Sequence, residues 1–315
     1  MDTRRTSIVV GFTVALVAVL LAHPEAATAA QPRCFGKRPT IVGTPRANVL
    51  KGTSRADVIV GLGGSDVIKG IRGNDRICGG RGNDTLVGGG GNDLLAGESG
   101  TDRLAGGGGA FDFLLGGPSD DVLNGGTGLG DIAGYFPAPG PVTVDLTAGT
   151  ATGDGSDTLT GVEDIDGSTF DDVITGSTAS NFLFGEAGND TLTGGDGVDG
   201  LFGLDGDDTL DGGTGEDFAS FFFSSAAVTV NLTTGTATGE GTDTLANIED
   251  VGGSTNNDSL TGDIGANVLH GDAGDDTVSG GDGDDNLVGD EGTDTIDGGI
   301  GTDTCDGESE ANCEA

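Results

Sequence analysis

Large apolar residues recur every ninth position along most of this chain, accompanied by glycines and an aspartate. The stretch Gly79–Val87 carries the whole unit, Gly-Gly-x-Gly-x-Asp-x-U-x, where U is a large apolar residue. The blocks on either side, 70–78 and 88–96, keep the register, so Asp57, Asp66, Asp75, Asp84, Asp93 and Asp102 follow one another at nine-residue intervals. A fixed short period of this kind is the mark of a solenoid. Glycines at positions one, two and four allow the left-handed conformations of a tight turn and a close approach of backbone carbonyls to a ligand. The last three residues are extended, with the apolar one (Leu86, Leu95, Leu104) directed inward. Two units, 18 residues, then complete one coil with turns on opposite edges. Asp57, Asp75 and Asp93 stack along one edge, and Asp66, Asp84 and Asp102 along the other.

The beat is interrupted twice by the same insertion. Val142–Gly153 (VTVDLTAGTATG) returns as Val228–Gly239 (VTVNLTTGTATG), an offset of 86 residues that also relates Glu163 to Glu249, Asp172 to Asp258, Asn181 to Asn267 and Asp217 to Asp303. Alternating residues in these segments predict short strands, and Gly153 and Gly155 a turn. The expected organisation is a signal peptide at 1–30, a lead-in at 31–47 and a first array at 48–130. A β-rich insert at 131–166, a second array at 167–216, the copied insert at 217–252, a third array at 253–306 and a Cys-containing tail at 307–315 complete it. One extra residue at 106–110 shifts the beat before Asp112 and Asp121 resume it.

Composition narrows the picture. Gly accounts for 65 of 315 residues, aromatics for 4%, and Trp is absent, which rules out a thick globular core. Such a composition suits a flexible linker, but linkers do not place Leu, Ile, Val or Phe at every ninth position. The net charge is −39, and every Lys and Arg lies at or before Arg103. Residues 104–315 carry 43 acids and no base, so nucleic acid is excluded as a partner and cations are the natural one. Residues 31–103 carry eleven bases and seven acids, which makes anionic cell-envelope polymers a candidate partner for that end. Arg4-Arg5, the apolar run Ile8–Ala22 and the small residues Ala27–Ala30 read as an export signal. The run is shorter than the roughly 20 residues of a spanning helix, so no stable membrane span is expected after cleavage. A Sec-type route is favoured over the twin-arginine one, which carries folded cargo, and the product is expected to be secreted, with cell-surface association as one outcome. Four cysteines in an exported chain read as disulfides with three connectivities, of which sequence proximity favours Cys34–Cys78 and Cys305–Cys313; a four-thiolate zinc site is disfavoured because no CxxC spacing exists.

The aspartate columns carry the chemistry. Stacked rungs lie about 4.8 Å apart. Unit charges about 5 Å apart repel by roughly 1 kcal/mol in water and about 3 kcal/mol at an effective dielectric of 20. A column of carboxylates therefore opposes folding unless cations sit between its members. Calcium suits the task, because it takes six to eight oxygens from carboxylates and backbone carbonyls. Each rung offers only part of a shell, so binding and folding are expected to be one event. The candidate ligands are Asp57, Asp66, Asp75, Asp84, Asp93, Asp102, Asp112, Asp121, Asp172, Asp190, Asp199, Asp208, Asp258, Asp276, Asp285, Asp294 and Asp303. Neither an EF-hand nor a nucleotide fingerprint fits. Asp164-x-Asp166-Gly167 lacks the first Asp and the flanking helices, and no crossover helix follows Gly126-x-Gly128-x-Gly130.

These residues resemble the repeats-in-toxin (RTX), or haemolysin-type, calcium-binding repeat family, most specifically at 61–105, 185–211 and 271–297. The resemblance implies an all-β parallel β-roll, a right-handed solenoid, with several calcium ions held by the position-six Asp and turn carbonyls. Departures are local: Asn181 and Asn267 fill Asp slots and imply weaker or empty sites, Ser119-Asp120 replaces the usual pair before Asp121, and the extra residues of 125–131 end the first array. Many relatives attach such repeats to a protease, lipase or epimerase. This chain has no HExxH and no Gly-x-Ser-x-Gly, and beyond the signal His270 is the single histidine, so no enzyme is expected. The expected role is structural or surface-interacting. The alternative is an adhesin, or a solenoid face that binds a polymer or ice. Such a face needs regular Thr ranks: Thr85, Thr191, Thr209, Thr277 and Thr295 share position seven, with Val67, Arg76, Leu94 and Arg103 breaking the rank.

Overall fold

A computed structural model describes residues 32–313. The export signal expected at 1–30 lies outside the described residues. All 32 regular elements are short strands. The chain winds through two sheets alternately, as an 18-residue period with one apolar residue per half-coil requires. The first sheet has 14 strands, from Ile41–Val42 to Thr304–Asp306, all parallel. The second has 18, from Val49–Lys51 to Ser309–Ala311. Its pairings form a single line; among the described residues no register joins those two end strands.

Register follows the sequence period. In the first sheet Ile59 pairs with Ile77, Ile77 with Leu95, and Leu183 with Leu201. In the second, Ile68 pairs with Leu86 and Leu192 with Leu210. These residues face one another across a core one side chain deep per half-coil, and nearly all are wholly buried. Flanking residues point outward, as a strand's alternation demands. A long stack of small layers thus replaces the single thick core that the aromatic-poor composition cannot build.

The difference of four strands between the sheets comes from the inserts. Strands Thr143–Asp145, Thr150–Thr152 and Ser156–Thr160 form an antiparallel meander. They enter the second sheet in reverse order between Val122–Thr127 and Val173–Thr175. The copied insert repeats this with Thr229–Asn231, Thr236–Thr238 and Thr242–Ala246. Val144, Ala151 and Leu159, and their counterparts Val230, Ala237 and Leu245, continue the apolar core. The first sheet passes by without interruption, Ile132–Gly134 pairing directly with Asp164–Asp166.

Both disulfides pair neighbours in sequence. Cys34–Cys78 ties the lead-in to the outer side of the first sheet, and Cys305–Cys313 closes the last coil. Outside the first sheet lies a second apolar cluster around Phe113, Phe184 and Phe202. Phe221 belongs to the inner core, whereas Phe223 packs against this outer cluster.

One reading of the sequence is corrected. Arg76 and Leu94 do not interrupt the threonine rank, because both lie in the first sheet, whereas Thr85, Thr191, Thr209, Thr277 and Thr295 all lie in the second. Val67 and Arg103, beside Thr85, remain as interruptions, and Val122 and Val173 join them in the same sheet. Half-coil parity, which a nine-residue alignment hides, is the reason.

Truncating a core residue leaves a cavity that a thin, closely stacked layer cannot collapse around. Leu183→Ala is therefore expected to lower stability by about 2–5 kcal/mol, while Val49→Ala, exposed on the second sheet, changes it by less than about 0.5 kcal/mol. Denaturant titration in saturating calcium checks both.

Candidate metal centre

Each turn delivers one position-six side chain to an edge, where it is buried by the turns before and after it. In the repeated arrangement the backbone N–H of one such residue donates to Oδ1 of the residue one coil on. Asp66 N–H donates to Asp84 Oδ1 (2.7 Å), Asp84 to Asp102 (2.7 Å), Asp75 to Asp93 (2.8 Å) and Asp190 to Asp208 (2.8 Å). Asp57, Asp75, Asp93, Asp112, Asp199, Asp285 and Asp303 occupy one edge. Asp66, Asp84, Asp102, Asp121, Asp172, Asp190, Asp208, Asp258, Asp276 and Asp294 occupy the other.

The columns also contain residues outside the nonapeptide reading. Asp131 and Asp217 belong to the first edge, accepting from Asp112 and Asp199. Asp157 and Asp243, carried by the inserts, accept from Asp121 and Asp208 on the second. Where no Asp is available a glutamate reaches in: Glu163 accepts from Asp131 N–H, Glu249 from Asp217 and Glu308 from Asp294. Asp217 was legible through its offset of 86 from Asp303. Asp131, Asp157 and the glutamates sit where insertions break the beat, and only the fold restores their alignment.

The two asparagines have a local cause. Asn181 Nδ2 donates to the Glu163 carbonyl (2.6 Å), and Asn267 Nδ2 to that of Glu249 (2.9 Å). An aspartate has no proton to offer there.

Among the described residues, sixteen position-six aspartates share a further property: Oδ1 accepts the backbone N–H of the residue one coil back, but Oδ2 is buried with no hydrogen-bond donor. They are Asp66, Asp75, Asp84, Asp93, Asp102, Asp112, Asp121, Asp131, Asp190, Asp199, Asp208, Asp217, Asp276, Asp285, Asp294 and Asp303. Oδ2 points at the first glycine of its own turn, where a methyl group at Gly79 would collide with Asp84 Oδ2 and one at Gly203 with Asp208 Oδ2. An unpaired buried carboxylate oxygen is costly, and a bound cation removes the cost. Among the described residues no three acidic, His or Cys side chains converge into a ready cage. Each column offers single carboxylates interleaved with turn backbone, a donor set that fits an ion accepting carbonyl and water oxygens alongside carboxylates, as calcium does.

Burial raises the carboxyl pKa values of several column aspartates, and stacked neighbours add to the effect against the opposing backbone hydrogen bonds. Asp93 is pushed up to about 7, Asp121 and Asp190 to about 8, and Asp75, Asp102 and Asp112 to about 6. His270, half-buried, shares Nδ1 with Asp290 Oδ2 at 3.2 Å, and that bond raises its pKa. Asp290 is position two of the Asp294 turn, so His270 stands beside the second edge.

Two sheets, parallel except within the inserted meanders, are linked by glycine-rich turns in which aspartates stack, and together they define a parallel β-roll. Models of the RTX calcium-binding nonapeptide repeat (4 copies) match residues 42–77, 51–86, 79–110, 107–129, 166–201, 201–219, 252–287 and 279–312. Together these cover more than half of the chain, which belongs to this family. No curated protein matches it.

Raised carboxyl pKa values fix the sign of a pH effect. Without calcium, folded Asp93, Asp121 and Asp190 hold protons that unfolded aspartates, at 3.8, have released. Their stability is thus fully present below about pH 4 and is lost as pH rises through about 6–8. Calcium-depleted protein is expected to show more β-structure by circular dichroism at pH 5 than at pH 8; the reverse order would contradict the buried-carboxylate geometry.

Proposed function

We propose that this chain is a secreted structural protein whose β-roll assembles when calcium fills its turns, the bound ions replacing a conventional core as the source of rigidity. The observation that carries this reading is the set of sixteen buried Oδ2 atoms without a donor, stacked along both edges. They lie in turns of a family whose repeats bind calcium. The apolar layers are too thin to overcome two columns of like charge, so the ions hold the roll closed. The signal-like residues 1–30 support export to a medium where calcium is plentiful, and two disulfides fit an oxidising compartment. Exposed Lys51 and Lys69 stand side by side on adjacent strands of the basic end, which suits contact with anionic envelope polymers. This reading assigns no catalytic role to any of the described residues. Equilibrium dialysis of residues 31–315 is expected to give many calcium ions per chain at about 10⁻³ M, undiminished by equimolar magnesium, which demands a tighter octahedral shell. One ion or none, or displacement by magnesium, would refute the reading.

A second reading rests on the outer face of the second sheet. Thr191, Thr209 and Thr244 stand in register there, as do Ser259, Thr277 and Thr295. Most are exposed, and Thr143 and Thr158 of the first insert extend the hydroxyl face, with Val173 and Val122 standing between the ranks. Such a face suits an ordered surface such as ice. Thermal hysteresis with shaped ice crystals is expected of calcium-loaded protein on this reading, and its absence would dismiss it.

A further inference from the structure

The turns fall into two kinds that the nonapeptide consensus does not separate. In the first, position two takes the left-handed conformation: Gly80 has φ +107°, Gly195 +114°, and even Leu62 (+80°), Ile71 (+97°) and Glu186 (+76°) adopt it. A β-branched residue such as Ile71 enters that region at real cost. All sixteen turns with this conformation end in an aspartate whose Oδ2 has no donor.

In the second kind, position two is Thr44, Thr53, Ser168, Ser177, Ser254 or Asp263, none of which has positive φ. There the position-two N–H turns inward and donates to the position-six side chain: Thr53 to Asp57 Oδ2 (2.7 Å), Ser177 to Asn181 Oδ1 (2.7 Å), Asp263 to Asn267 Oδ1 (2.9 Å). Hydroxyls add a second bond, from Thr53 Oγ1 to Asp57 Oδ2 (2.8 Å) and from Ser254 Oγ to Asp258 Oδ1 (2.9 Å). The side chain is satisfied by protein alone. Asparagine at position six, in Asn48, Asn181 and Asn267, is found only in these six capped turns.

Their placement is regular. Capped turns come as consecutive pairs, each one full coil, and each pair opens an array: Asn48 with Asp57, Asp172 with Asn181, Asp258 with Asn267. The last two directly follow the inserts.

We propose that the six capped turns take no calcium, and that the three coils they form are metal-independent starting rungs onto which the calcium-filled turns stack. The proposal rests on the calcium reading above and divides its sites. Asp57, Asp172 and Asp258 share the consensus aspartate but act as hydrogen-bond acceptors, not ligands. Each array then starts from a rung that exists before the ion arrives, which removes the need to nucleate three separate stacks by metal alone.

Matched substitutions in residues 31–315 test this. Asp57→Asn keeps an acceptor for Thr53, in the arrangement that Asn181 already uses, whereas Asp75→Asn, one coil on in the same column, removes a carboxylate from a left-handed turn. Bound calcium at saturation is measured by equilibrium dialysis, with circular dichroism to verify folding. Asp57→Asn is expected to keep the full wild-type number of ions, and Asp75→Asn to lose calcium and raise the midpoint several-fold. Asp258→Asn against Asp276→Asn repeats the comparison in the third array. Equal calcium loss within both pairs overturns the proposal while leaving calcium binding intact. A wild-type chain that binds no calcium sinks the underlying reading instead.

Discussion

Carboxylates stacked at the interval of a β-strand repel one another, and most of this molecule is arranged around that repulsion. In the turns with a left-handed second position, the position-six aspartate accepts the backbone N–H of the neighbouring coil on one oxygen, which fixes its rotamer and buries it. The other oxygen then lies inside the turn, against a glycine that has no side chain to interfere. Burial strengthens every charge interaction it touches, so a cation between the rungs gains what the empty columns lose. On the calcium reading proposed above, ions between the rungs turn columns that oppose folding into bonds that hold it.

The rest of the architecture fits this constraint. One apolar residue per half-coil chooses which face turns inward and keeps the coils in register, and its burial adds stability layer by layer. Glycine leaves room for carbonyls and carboxylates to approach. The disulfides sit at the two ends, where a terminal coil has a neighbour on one side only. The inserts widen the second sheet without disturbing the first, and their Asp157, Asp243, Glu163 and Glu249 hand the edge ladder across the gap.

Much of this was legible in the sequence because the period is rigid. Nine residues set the half-coil, and the apolar position set the core, so Leu86 and Leu95 could be placed inside from spacing alone. Both cysteine pairings followed from proximity. What spacing could not show was conformation within the turn. Asp57 and Asp66 occupy the same consensus slot, yet Thr53 caps one and left-handed Leu62 leaves the other open. The glutamates that continue the ladder, and the sheet to which Arg76 and Leu94 belong, depend on how an insertion folds back. Local period carries no record of that.

Far-UV circular dichroism of residues 31–315 during a calcium titration at neutral pH tests the central claim most directly. A chain whose buried carboxylates need ions should be largely unstructured in chelator and gain β-structure cooperatively at about 10⁻⁴–10⁻³ M calcium. A β-rich spectrum in chelator that calcium leaves unchanged would contradict the account.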